Sequence, residues 1–137
     1  MQDGFVKTWP RRLLQLEGAC IFGSTIWAYS RSGQSWWTFA ALLLTPDLGM
    51  TGYLANSSVG AALYNTFHTE TPPILLLCVA LARDNKALTG LALSWLAHIG
   101  MDRMLGYGLK YGSSFDHTHL GNLGLTGRKD EKKSTSQ

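Results

Sequence analysis

Few residues of this chain can do chemistry, and they fall into three groups. His98 and Asp102 are four apart, an HxxxD pair on one helical face, with Ser94 a turn earlier and Arg103 about 100° further round. Upstream, Tyr64, Asn65 and His68 share a second helical face, and Asp47 follows Pro46. Downstream, Asp116, His117 and His119 crowd the stretch FDHTHLG, which follows the glycine-rich GYGLKYG. Such a set can move protons: a carboxyl group taken out of water keeps its proton, and an imidazole passes it on. It can also hold a divalent metal such as zinc, for which His68, His98, Asp102 and His119 are the candidate ligands, although no HExxH motif occurs. The expected catalytic set is Asp47, His68, His98, Asp102, Arg103 and His119, with Tyr64, Asn65 and Tyr107 against the substrate.

Four apolar stretches must position these groups: Leu13 to Tyr29, Trp36 to Leu54, Val59 to Ala82, and Ala87 to about Tyr107. Each is near the ~20 residues that a bilayer crossing needs. The joints RSGQS, ANSS and RDNK are short and hydrophilic, as between antiparallel neighbours in a bundle. FAALLL, ILLLCVALA and LTGLALSWLA are apolar on nearly every face, where a bundle in water would show a polar stripe. The fold class expected is therefore all-α: a polytopic membrane bundle of four transmembrane helices, up-down-up-down. Pro46 and Pro72 interrupt the second and third, because proline lacks a backbone donor and fits the first turn of a new segment, with Thr45 available as a cap. Charged groups at membrane depth cost about 2.5–3.5 kcal/mol each, so the polar residues should turn inward and meet. Arg103 is then expected to pair with Asp47 or Glu17 on a neighbouring helix.

Charged residues are only 15% of the chain against 45% apolar. The mean hydropathy of −0.01 is diluted by polar ends. The net charge of +3 resides mostly at the termini without a basic stripe, which argues against nucleic acid. Cys20 and Cys78 sit in apolar runs with no CxxC pairing and read as small hydrophobes. Lys7, Arg11 and Arg12 before the first stretch, and Lys110 and Arg128 to Lys133 after the last, place both termini in the cytoplasm. Residues 1–12 then form a cytoplasmic segment, 13–108 the membrane domain, 109–123 a histidine-containing lid, and 124–137 a disordered basic tail.

The run AHIGMDRMLGYGLKY followed by THLG, with PDL, GYL, Tyr64, Asn65 and His68 upstream, resembles a family of short integral membrane proteins classified as a domain of unknown function, number 4260. The likeness covers roughly Leu13 to Leu123 and departs at Gly112, where it implies a proline after Tyr111. It implies the membrane fold and carries no activity.

Function is expected to be acid-base catalysis by buried Asp and His on a lipophilic small molecule entering from the bilayer, by isomerisation, cyclisation or hydrolysis. No cofactor is required, a divalent metal is admitted, and so is a homo-oligomer. One alternative is a scaffold or partner-protein subunit whose polar groups only hold the helices together. Another is a metal-dependent membrane hydrolase, since some of those share an HxxxD followed by a basic residue.

Overall fold

The computed structural model describes residues 8–113 and 117–122. The chain is all-α, with five helices among the described residues: α1 (Thr8–Arg31), α2 (Trp36–Leu43), α3 (Ser57–Phe67), α4 (Thr71–Ala82) and α5 (Lys86–Leu105). A 3₁₀ segment, Thr45–Leu54, lies between α2 and α3. A short antiparallel ribbon of β1 (His117–Thr118) and β2 (Gly121–Asn122) follows α5.

Helix starts follow local chemistry. Asn56 accepts the Val59 amide at 2.9 Å, Asn85 accepts that of Leu88 at 3.1 Å, and Ser35 accepts that of Trp37 at 3.2 Å, each satisfying a donor that the first turn leaves free. The four apolar stretches thus become five helices, because the second and third are broken where their prolines stand. α2 stops at Leu43 and Pro46 opens the 3₁₀ segment; α3 stops at Phe67, and Pro72 and Pro73 occupy the first turn of α4. Thr45 does not cap the new segment as expected. Its hydroxyl turns back to the Leu42 carbonyl at 2.7 Å, and Leu44 stands at the cap position without a side-chain bond.

Among the described residues no helix is long and apolar enough to cross a membrane. The breaks leave α2, α3 and α4 at 8, 11 and 12 residues, while α1 and α5 have the length, at 24 and 20, but carry too many polar groups. The bundle nevertheless wears its apolar residues outside: Trp27 is 69% exposed, Trp37 87%, Leu54 90% and Leu75 61%.

The centre is α5, enclosed from Ala92 to Gly100. α1 runs antiparallel to it, with Gln15 beside Met104 at one end and, just past the other, Gln34 of the following turn beside Lys86. The two backbones touch at Gly18 and Gly100: a Cβ on Gly100 would stand 2.7 Å from the Phe22 nitrogen, so only glycine allows this approach. The aromatic core of Tyr29 and Phe39, with ring centroids 4.8 Å apart, packs on Leu93 and Ala97. The 3₁₀ segment packs on α3, which brings Asp47 alongside His68.

Candidate functional site

The polar residues converge. α3 ends at Phe67, so the His68 side chain leaves the helix terminus and turns inward; it is 1% exposed. His98, in the middle of α5, is 2% exposed. Their Nε2 atoms lie 3.1 Å apart. Asp47 Oδ1 is 3.4 Å from each of these nitrogens, and Asp102 Oδ2 is 3.5 Å from each. The Tyr64 hydroxyl reaches Asp102 Oδ2 at 3.5 Å, and its ring stacks on that of His68 with centroids 3.7 Å apart. The Asp47 side chain is 38% exposed, so the cluster meets its surroundings on that side.

Hydrogen bonding fixes the state of His68. Its Nδ1 lies 2.9 Å from the Tyr64 carbonyl, which can only accept, so Nδ1 carries a proton. In the neutral ring Nε2 is then a bare lone pair directed at the other imidazole and at two carboxylates. A proton donated by His98 or by one of the carboxyl groups, or a cation, relieves that convergence of lone pairs. His98 Nδ1 is enclosed and has no hydrogen-bond partner among the described residues, so the His98 tautomer is set by what its Nε2 meets.

The distances suit a metal. Zinc bonds nitrogen and oxygen at about 2.0–2.2 Å, so neighbouring donors of a tetrahedral site stand roughly 3.3–3.6 Å apart. Asp47, His68 and His98 have donor atoms that all lie within 4.8 Å of one another, with edges of 3.1, 3.4 and 3.4 Å. An imidazole whose other nitrogen donates to a backbone carbonyl, as in His68, is the usual arrangement of a metal-bound histidine. Asp102 approaches the same nitrogens while tied to Tyr64, which suits a base beside a metal.

Arg103 forms no ion pair with Asp47 or Glu17. Its guanidinium donates to the carbonyls of His68 and Tyr107, both at 2.9 Å, and so holds the end of α3 against the end of α5. Asn65 faces away from Tyr64 and His68: its side chain accepts the Lys110 amide at 2.7 Å and donates to the Lys110 carbonyl at 2.8 Å. Ser94 bonds the Gly90 carbonyl and does not join the cluster. The Tyr107 ring is exposed, and its backbone takes part instead: its carbonyl accepts from Arg103 and its amide donates to the Asp102 carbonyl at 2.8 Å.

His119 stands apart from the cluster and is not one of its potential ligands. Its Nδ1 accepts the Leu109 amide at 2.8 Å, while its own amide donates to the Leu109 carbonyl at 3.0 Å. Burial, and then the nearby Arg103, push the His119 pKa below its ordinary value. Asp116, the His117 side chain and the basic tail lie outside the described residues.

Two contributors were not anticipated from sequence. Asp47 was expected in catalysis but not among the ligands, because nothing in a linear spacing links it to a residue 21 positions on. Lys110 is buried, with its ammonium 4.7 Å from the centroid of the Tyr64 ring. Since His68 covers one face of that ring, Lys110 lies over the other. A lysine two residues beyond a GYG turn reads only as a surface charge.

No curated protein and no solved structure matches the chain. A family model does, over residues 11–123, which contain every residue of the cluster, and the chain thereby belongs to the family described as Domain of unknown function (DUF4260).

Proposed function

We propose that the protein is a metal-dependent hydrolase embedded in a membrane, with Asp47, His68 and His98 as metal donors, Asp102 as general base and a lipophilic small molecule as substrate. The observation that carries this reading is the facing pair of imidazole nitrogens at 3.1 Å, one of them committed as a lone pair by its Nδ1 bond to Tyr64.

Three protein donors and one open position are the pattern of catalytic zinc sites. A metal held there would supply a water acidic enough to lose its proton near neutral pH. Asp102 accepts that proton and returns it to the leaving group, so that water is added across the broken bond. Tyr64 keeps the Asp102 carboxylate in place, and the half-exposed Asp47 side is the entry.

The exterior supports the bilayer. Large apolar residues stand exposed on the outside while His68, His98 and Lys110 are buried, and intramembrane ionisable groups usually mark function. In this reading each broken stretch crosses as a pair of short pieces, with the freed backbone groups buried beside the cluster. In this reading Arg11 and Arg12 at one end mark the cytoplasmic side, with both termini there.

A metal-free form is the second reading, favoured by the same 3.1 Å distance, which also suits one proton shared by two imidazoles. Elemental analysis separates the two. Protein purified without chelators should carry a stoichiometric divalent ion that His98→Ala lacks, and turnover of lipophilic esters or phosphoesters should disappear with it. A wild-type protein that hydrolyses such substrates without bound metal overturns the metalloenzyme.

A further inference from the structure

A second site lies beside the cluster. Between α1 and the end of α5 is a cavity of about 540 Å³, within the roughly 300–1,000 Å³ of small-molecule sites. Its walls divide by chemistry: Leu14 and Ile21 of α1 form an apolar side, and Glu17, Glu70, Arg103 and His119 form a polar one.

The polar wall carries both signs of charge, with Glu70 close enough to act on Arg103 electrostatically but not in ion-pair contact with it. Among the described residues every ion-pair contact belongs to the His68–His98 cluster, so Glu17, Glu70 and Arg103 have none. Arg103 is nevertheless fixed, because two of its five N–H groups are held by the carbonyls of His68 and Tyr107, leaving three to offer a ligand. His119 spends its Nδ1 on the Leu109 amide, so the neutral ring keeps its proton on Nε2.

We propose that this cavity binds a zwitterionic phospholipid of the ethanolamine type. The phosphate lies against Arg103 and His119, the ammonium against Glu17 and Glu70, and an acyl chain along Leu14 and Ile21. Two carboxylates against one guanidinium disfavour a lipid of net negative charge, whereas a head group carrying both signs meets a partner for each. An ammonium with N–H groups suits carboxylates. A quaternary choline would instead seek aromatic faces, and among the described residues no Trp, Tyr or Phe lines the cavity. The proposal rests on the membrane part of the reading above and not on the metal.

Cys20 lies on the cavity wall and is exposed, which gives a direct probe. In full-length protein carrying Cys78→Ser, micelles containing phosphatidylethanolamine should slow maleimide labelling of Cys20 by about tenfold relative to phosphatidylglycerol, the ratio that a tenfold affinity difference gives. Native mass spectrometry should show the same order of retention, with phosphatidylcholine below phosphatidylethanolamine. The double variant Glu17→Gln, Glu70→Gln should lose that preference. Leu14→Trp, which fills the cavity without touching the Arg103 bonds, should lose retention of every lipid. Equal protection by all three lipids, stronger retention of phosphatidylglycerol, or unchanged behaviour of both variants overturns the site. Metal content measured on the same samples reports separately on the hydrolase centre.

Discussion

His68 and His98 present their Nε2 atoms to each other across 3.1 Å, although 30 residues separate them in sequence. His68 caps α3 and is still held in helical register by its N–H bond to the Tyr64 carbonyl at 2.9 Å, so the last turn of α3 sets where its ring meets α5.

If a metal bridges this pair, removing it should destabilise the fold. Metal bound only by the native state adds about 2.7 kcal/mol at a hundredfold excess over Kd. The wild-type thermal midpoint should fall on chelation and recover when zinc is returned. His98→Ala should respond to neither step, and an equal response from that variant would sink the assignment of the ligand.

Asp102→Asn separates base from ligand. The amide keeps the shape and the Tyr64 contact but cannot take a proton, so metal content should persist while turnover falls by about 10²–10⁴-fold. Loss of metal in this variant would move Asp102 into the donor set.

Asn65→Leu removes both bonds to the Lys110 backbone, at about 1–3 kcal/mol for each. Hydrogen exchange should accelerate at residues 109–111 and around Thr118, which pairs with Lys110, while α1 remains protected. Uniform exchange in the variant would show that the segment is held by something else.

Acid should loosen the same segment through His119. Its folded pKa lies below the unfolded value near 6.5, so neutral His119 favours the folded form. That contribution is complete above about 6.5 and is lost as pH falls through the folded pKa, because a protonated Nδ1 cannot accept the Leu109 amide. The protection factor of the Leu109 amide, its exchange rate relative to the unstructured rate at the same pH, should therefore fall on acidification, and His119→Phe should remove that change. A protection factor at Leu109 that does not change with pH in wild-type protein contradicts this account.

Gly100→Leu tests the contact between α1 and α5. Its side chain would meet the Phe22 backbone nitrogen and the Gly18 carbonyl, and overpacking of this kind costs about 1–3 kcal/mol or more. The thermal midpoint should drop, whereas Gly23→Leu, which faces open space, should hardly move it.

The sequence carried the breaks well, because Pro46 and Pro72 act locally: a missing N–H and a fixed φ end a helix whatever surrounds it. It carried His98 with Asp102 for a similar reason, since a spacing of four is a property of one helix. It did not carry the course of Arg103, whose acceptors are two backbone carbonyls and so leave no mark in residue identity. Asn65 was grouped with Tyr64 by helical spacing, yet adjacent residues differ by about 100° and face different neighbours. The length of each apolar stretch was legible, but hydropathy alone does not show that two of them fold as shorter pieces.

The Asn65 amide has the same donor and acceptor as a peptide unit, and Lys110 pairs with it as one strand pairs with the next. A single side chain on α3 therefore works as a ruler for the linker that leaves α5. Counting from Leu105, Lys110 arrives opposite Asn65 and its ammonium over Tyr64 only if the intervening residues keep their number. An insertion or deletion between Gly106 and Leu109 would shift that register and present a different side chain to the ring. Length in this linker, more than composition, should be what the chain cannot vary.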